Sequence, residues 1–243
     1  MSQILKRFYA GDSVYEVLYT NIRIQPDDGY EVQRLKRAIR KAVSRQLKAR
    51  RYVIELLIRE NFDSSAWYCT LTFYEDKLPP DKVKANARFA YFLKVLRKMG
   101  YSEIRYIKVL EHKHGDARYH YHTVMSGVPR YAIQKVWRNI YGKNVEISHL
   151  DLKRVSELAK YLAKEVSDAV GRHNYSRSRA PNGLREPERT FEIVDDNYRL
   201  SLPPKAELIE QQVLAANAFG QSEFLFFRTP EKCRSARASA KGN

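Results

Sequence analysis

The hydrophobic pattern divides the middle of the chain into alternating strand-like and helix-like segments. Trp67–Phe73 is rich in aromatic and β-branched residues, which is typical of a strand. Apolar residues at helical spacing then predict a helix over Val83–Met99, ended by Gly100. The pattern next predicts two strands, a helix, a strand and a helix: Ile104–Leu110, Tyr119–Met125, Pro129–Gly142, Val145–Leu150 and Val155–Ala169. The order β-α-β-β-α-β-α indicates an α+β domain of the ferredoxin-like, split β-α-β kind, with an antiparallel sheet and one added helix.

Weaker patterns flank this central domain. Tyr15–Ile24 favours a strand, and Glu31–Arg59 favours one long basic helix with an apolar residue at every fourth position. Further along, we expect a basic loop, a strand, a helix and a strand: Gly171–Arg189, Phe191–Leu202, Lys205–Ala218 and Phe224–Phe227. The predicted division is an N-terminal basic extension (1–62), the central domain (63–180), a C-terminal extension (181–230) and a mobile tail (231–243).

Composition adds a partner to this picture. The chain has 243 residues, of which 44% are apolar, so it can bury a core and wholesale disorder is excluded. Its formal net charge is +16 and it has 17 tyrosines, a combination that suits a phosphate backbone and stacked bases. An acidic membrane surface would also attract such a chain, but no apolar run is long enough to span a bilayer. The absence of a GxxxxGK[ST] motif argues against a nucleotide-driven motor.

Targeting signals and cysteine usage indicate a cytoplasmic protein. The first residues, MSQILKRFYAGD, lack the apolar core of a signal peptide. Cys69 and Cys233 lie far apart and have no neighbouring cysteines. This usage fits a reducing cytosol and argues against a zinc finger or a disulfide scaffold.

A hairpin in the central domain predicts a metal site. If Gly115 and Asp116 form a two-residue turn, antiparallel pairing places Glu111 opposite His120, with His122 on the same face. A single histidine on a strand is usually structural, but a carboxylate and two imidazoles on one face indicate a divalent-cation site. The same ligand set also occurs in iron oxygenases, against which the strongly basic charge and the element order argue.

The helix that starts at Val155 carries a second chemical group. Tyr161 lies about 120° from the apolar stripe of this helix, and Lys164 lies about 180° from it. A phenol becomes a good nucleophile only when a base or cation stabilises its oxyanion, and a lysine one turn away is such a cation. On this helix alone, a surface tyrosine is the simpler interpretation.

Taken together, these motifs resemble the HUH endonucleases. The shared features, in order, are the strand Tyr68–Phe73, Glu111 before His120-Tyr121-His122, and the helix segment Tyr161–Lys164. The resemblance covers roughly Trp67–Arg179 and is similar to rolling-circle replication initiators of plasmids and of filamentous and small icosahedral phages. It implies an HUH nuclease core that nicks and religates single-stranded DNA at a replication origin in the bacterial host cytoplasm.

The resemblance also implies roles for individual residues. Glu111, His120 and His122 would hold Mg²⁺ or Mn²⁺, which would polarise the scissile phosphate. Tyr161 would attack the phosphorus, leaving a 5′-phosphotyrosyl bond and a free 3′-OH that primes synthesis, and Lys164 would steer the phosphate or stabilise the phenolate. Unwinding and synthesis would then need a host helicase and a host DNA polymerase.

In one respect the chain departs from part of this family. Some phage members have a second tyrosine one helical turn from the first, whereas positions 157 and 165 are both glutamate here. A mechanism with two tyrosines is therefore not expected, and Tyr175 is expected to contact DNA or to act as a reserve nucleophile. The cationic and aromatic residues predicted to bind DNA are Arg34, Arg37, Arg40, Lys41, Arg45, Arg118, Arg172, Tyr175, Arg177 and Arg179.

Two alternatives remain open at this point. A single-stranded nucleic-acid-binding module without catalysis would use the same fold to stack bases, but it gives no purpose to His120 and His122. A relaxase or a single-strand transposase would share the chemistry and differ in substrate.

Overall fold

The computed structural model describes residues 2–47, 50–111, 119–142, 145–164, 175–179, 183–217 and 220–229. Over these residues the chain is an α+β structure with ten strands in two antiparallel sheets and five α-helices. Two compact units result, one formed by residues 61–185 and the other by residues 1–60 together with 186–243.

The regular elements are as follows in chain order: β1 Gln3–Ala10, β2 Ser13–Thr20, α1 Tyr30–Leu47, α2 Arg50–Asn61, β3 Trp67–Thr72, α3 Lys82–Lys98, β4 Arg105–Glu111, β5 His120–Ser126, α4 Arg130–Ile140, β6 Val145–His149, α5 Val155–Lys164, β7 Tyr175–Arg177, β8 Glu188–Val194, β9 Glu207–Asn217 and β10 Gly220–Arg228. None of the described helices is both long and apolar enough to cross a membrane.

The 61–185 unit contains the predicted series of elements. From β3 to α5 the order β-α-β-β-α-β-α is confirmed, and the strand order in its sheet is β6-β3-β5-β4-β7. The expectation of a loop over Gly171–Arg189 is wrong at Tyr175–Arg177, where β7 pairs with β4. Three residues are too few to show a strand pattern, so only the free edge of β4 decides this pairing.

The two faces of this sheet have different roles. On β3, Cys69 and Leu71 point into a core that also contains Phe89 and Phe92 of α3 and Trp137 of α4. Alternation along the strand therefore turns the intervening side chains to the opposite face. The Asp81 side chain caps α3 by accepting a hydrogen bond from the Lys84 backbone at 2.7 Å, as the start of a helix at this point requires.

The other unit is built on a sheet with the order β8-β1-β2-β10-β9. Strands predicted near Tyr15, Phe191 and Phe224 are present as β2, β8 and β10, whereas the sequence analysis did not find β1. The predicted helix over Lys205–Ala218 is wrong, because this segment forms β9 and pairs antiparallel with β10. Its Glu, Gln, Leu and Ala residues are good helix formers, so local propensity favoured a helix that tertiary pairing overrides.

The expected long helix over Glu31–Arg59 is described as two elements, α1 and α2. In α2, Tyr52 and Leu56 are buried in the core under the β1–β2–β10 sheet, with Tyr15 and Phe226 among their neighbours. The exposed basic surface predicted for the whole segment therefore belongs to α1.

Some expected features fall outside the described residues. They are the Gly115-Asp116 turn, residues 165–169 of the predicted last helix, and the tail over residues 231–243.

Candidate metal centre and nucleophile

The pairing of β4 with β5 brings three candidate ligands to one face of the sheet. Glu111 is directly opposite His120, and Val109 is opposite His122, as the turn count predicts. Directly opposed residues share a face, and so do residues two apart on a strand. The two histidines and the glutamate therefore converge on the sheet face away from α3 and α4.

The distances within this triad are those of a compact ligand set. Nε2 of His120 and Nε2 of His122 each lie 2.7 Å from Oε2 of Glu111. The candidate ligand atoms of all three residues lie within 4.8 Å of one another. Imidazole nitrogen and carboxylate oxygen are donors that divalent cations accept, and Glu111 is only 1% exposed. The residues present thus fit a divalent cation.

The protonation states of the triad also suit metal binding. Burial acts to raise the pKa of Glu111, but hydrogen bonds from His122 and Tyr161 and the charge of His120 lower it overall. Burial lowers the pKa of His122 despite the nearby Glu111 carboxylate. At neutral pH, Glu111 is therefore ionised and His122 is neutral, the forms in which both side chains bind metal.

Tyr161 of α5 points at the triad. Its hydroxyl donates to Oε2 of Glu111 at 2.9 Å and lies 3.1 Å from Nε2 of His122. The Tyr161 and His122 rings meet edge to face with centroids 5.0 Å apart. Val155 and Leu162 of the same helix are buried while Tyr161 is 41% exposed, so the prediction that Tyr161 is not a core tyrosine is confirmed.

Two residues of β3 complete the surroundings of His122, and the sequence analysis gave them no role. The Tyr68 hydroxyl lies 2.9 Å from Nδ1 of His122, and the Thr70 hydroxyl lies 3.4 Å from the same atom. The signal that would have found them is the β3–β5 pairing, in which Thr70 is opposite His122 and Tyr68 shares its face. The hydrogen bond to Nδ1 fixes the orientation of the ring and leaves Nε2 directed at the triad.

A cavity of about 480 Å³ opens beside the nucleophile candidate. Tyr68 and Tyr161 line it together with His149 and Arg154. His149 itself has a structural environment, since its ring lies 4.2 Å from that of Trp67 and its Nδ1 is 3.2 Å from the Ser64 carbonyl oxygen. The cavity offers aromatic and cationic surface next to the Tyr161 hydroxyl.

The remaining predicted site residues lie in several places. Tyr175 and Arg177 are half-buried on the edge strand β7, and Arg179 follows it as an exposed residue. The exposed cations of α1, in the other compact unit, are Arg34, Arg37, Arg40 and Lys41. The side chains of Arg45 and Lys164, and the whole of Arg118 and Arg172, lie outside the described residues.

Comparison with known proteins gives one match. Residues 66–170 match the model of a family described as replication-associated protein ORF2. The matched segment includes Glu111, His120, His122 and Tyr161, and the match supports a phage or plasmid replication initiator. No curated protein and no solved structure matches the chain.

Proposed function

We propose that this chain is a replication initiator endonuclease that nicks single-stranded origin DNA, with Tyr161 as the nucleophile and Glu111, His120 and His122 as metal ligands. The observation that carries the proposal is the position of the Tyr161 hydroxyl, 2.9 Å from Oε2 of Glu111 at the edge of the triad. The match to a replication-associated family over residues 66–170 supports the biological setting.

Each residue has a defined part in this reaction. A Mg²⁺ or Mn²⁺ ion held by Glu111, His120 and His122 would supply a Lewis acid for a non-bridging oxygen of the scissile phosphate. Tyr161 is oriented by its hydrogen bond to Glu111, which accepts the phenol proton. Tyr68 acts through His122, whose ring it holds in place.

The covalent step exchanges one phosphodiester for another. The Tyr161 oxygen forms a bond to phosphorus as the bond from phosphorus to the 3′ oxygen breaks, and that oxygen takes a proton. The products are a 5′-phosphotyrosyl linkage and a free 3′-OH, which a host DNA polymerase would extend while a host helicase opens the duplex. Attack by a 3′-OH on the phosphotyrosyl bond reverses the step and religates the strand. Lys164, one helical turn from Tyr161, would steady the phosphate or the phenolate.

A denaturing gel of the protein with single-stranded origin-like DNA tests this function. We expect a covalent protein–DNA adduct with Mn²⁺ that is absent with EDTA, in Tyr161→Phe and in His120→Ala. Tyr91→Phe is the matched control, because Tyr91 is an exposed tyrosine of the same compact unit and lies on α3, away from the triad. It should form the adduct like the parent protein.

The same gel identifies the alternatives. An adduct that survives Tyr161→Phe would move the nucleophile elsewhere, and Tyr175 would be tested next. No adduct across a broad library of single strands, with DNA binding that persists in EDTA, would favour the non-catalytic binding module. An adduct on transfer-origin or transposon-end DNA in place of a replication origin would favour a relaxase or a transposase with the same chemistry.

A further inference from the structure

A second cavity, of about 680 Å³, lies on the α3 side of the central sheet. It is bordered by α3, β4 and the edge strand β7. Among the described residues that line it, none is acidic and five are cationic: Lys82, Arg97, Lys108, Arg177 and Arg179. A surface of this composition attracts anions.

Lys108 is the buried cation of this cavity. It is three residues from Glu111 on β4 and points to the opposite face, where its Nζ donates to Oδ1 of Asn86 at 2.5 Å. The rings of Phe89 and Tyr121 each lie 4.5 Å from this ammonium group. Lys108 is only 6% exposed, and burial together with the charge of Lys82 lowers its pKa to about 7. Burying an ammonium group among other cations costs stability, so a bound anion would relieve it.

The rim of the cavity is held in place by the β4–β7 edge. The Ser178 backbone donates to the Tyr106 carbonyl at 3.0 Å, and the Tyr106 backbone donates to the Ser178 hydroxyl at 3.3 Å. These bonds fix the segment that carries Arg179. The charges of Arg97 and Arg179 both act on the Tyr106 phenol, so both cations lie near this half-buried ring.

We propose that this cavity binds the phosphate of a nucleotide, with Lys108 at its centre, Arg97 and Arg179 at its rim, and the Tyr106 ring beside the base. Lysine and arginine are the usual protein ligands of phosphate, and bases stack on aromatic rings. The volume suits a ligand of nucleotide size. Because Lys108 and Glu111 face opposite sides of the sheet, this phosphate is distinct from the one that Tyr161 would attack.

The phosphate can come from a DNA strand or from a free nucleotide. The choice of a nucleotide as ligand rests on the proposed function of the chain, whereas the anion site rests on the lining of the cavity. The two claims therefore need an experiment in which binding is measured without nicking.

Binding is measured with the full-length chain carrying Tyr161→Phe, in EDTA, so that no covalent complex forms. The probes are an oligothymidylate of about 12 nucleotides and thymidine 5′-monophosphate. The added variants are Lys108→Met, which keeps the length of the side chain among Phe89 and Tyr121, and Arg179→Ala, which removes an exposed side chain. Lys135→Met, which removes an exposed lysine from α4, is the charge-matched control.

We expect Lys108→Met and Arg179→Ala each to weaken binding about tenfold, since each removes a charged hydrogen bond to phosphate. The salt dependence of strand binding should fall by about 0.7 in slope for each phosphate contact that is lost. Weakening for the oligonucleotide alone assigns the cavity to a DNA strand. The same weakening for thymidine 5′-monophosphate assigns it to a free nucleotide.

The inference is overturned if both variants bind both probes like Lys135→Met, or if the parent protein binds neither probe. An unchanged or higher melting temperature of Lys108→Met shows that its effect on binding is not a loss of fold. Failure of the proposed nicking is recognised separately. A chain that shows this binding pattern but forms no adduct with Tyr161 intact would refute the nickase and leave the nucleotide site standing.

Discussion

His122 is held through both of its ring nitrogens. Nε2 lies 2.7 Å from Glu111, and Nδ1 lies 2.9 Å from the hydroxyl of Tyr68. The Tyr68 ring also stacks nearly parallel to the imidazole, with centroids 6.1 Å apart. A histidine constrained in this way has one ring orientation, which is what a metal ligand or a positioning group requires.

Tyr68→Phe tests this positioning role. The substitution keeps the stacked ring and removes the hydrogen bond to Nδ1 of His122. We expect the Mn²⁺ concentration needed for adduct formation to rise about 10- to 100-fold, with the adduct yield restored at excess Mn²⁺. The measurement is a metal titration of adduct yield beside Tyr91→Phe. An unchanged Mn²⁺ dependence would mean that Tyr68 does not orient the ligand.

The buried Lys108 predicts a pH-dependent stability. Its pKa is about 7 in the folded chain and 10.5 in the unfolded one, so between these values the unfolded state binds more protons. Stability of the parent protein therefore gains from this group as pH rises from about 7 to 10.5. Lys108→Met lacks both the cost and the gain, so its advantage should be largest at or below pH 7 and should shrink toward pH 10.

Melting temperatures measured across this pH range, in buffer free of DNA and phosphate, check the prediction. Lys135→Met serves as the control, because Lys135 is exposed on α4. Its difference from the parent protein should stay nearly constant with pH. A constant offset for Lys108→Met as well would contradict the assignment of a lowered pKa to Lys108.

At the scale of elements, the β4–β5 hairpin decides whether the candidate metal site exists. A shift of one residue in this pairing would remove the match between Glu111 and His120. The register followed from counting outward from a Gly-Asp turn, because opposed residues in a hairpin are set by the turn length. This part of the site was therefore open to prediction from a dozen consecutive residues.

Elements that depend on distant partners were harder to predict. β9 has the composition of a helix and becomes a strand because β10 is available to pair with it. β7 has three residues and exists because β4 offers a free edge. β1 pairs with β2 across Gly11, whose φ of +60° suits glycine, and with β8 nearly the whole chain away.

At the scale of the whole molecule, the candidate active site lies within one compact unit. The triad, Tyr161 and Tyr68 all belong to residues 61–185. The two ends of this unit are joined, because the Asn61 side chain donates to the Arg185 carbonyl at 2.9 Å and accepts from the Arg185 backbone at 2.6 Å. The unit also has its own core, formed by β3–β6 with α3 and α4.

A fragment of residues 61–185 should therefore fold and form the Mn²⁺-dependent adduct. The exposed cations of α1 are outside it, so we expect the full-length chain to bind single-stranded DNA with a steeper salt dependence, by about 0.7 in slope for each phosphate that α1 contacts. Circular dichroism, the adduct gel and salt titrations compare the two proteins. Equal salt slopes would mean that α1 does not contact DNA. A folded fragment that forms no adduct would mean that catalysis needs the other unit.

The sequence by itself determined the order of elements from β3 to α5 and the convergence of Glu111, His120 and His122. Both follow from local rules, because periodicity identifies an element and turn length fixes the register of a hairpin. Only the tertiary structure decided that β3 lies beside β5, which brings Tyr68 and Thr70 to His122, and that α5 places Tyr161 at Glu111. These contacts join residues 39 to 54 positions apart, and the packing of the sheet and its helices, not the local pattern, determines which distant segments meet.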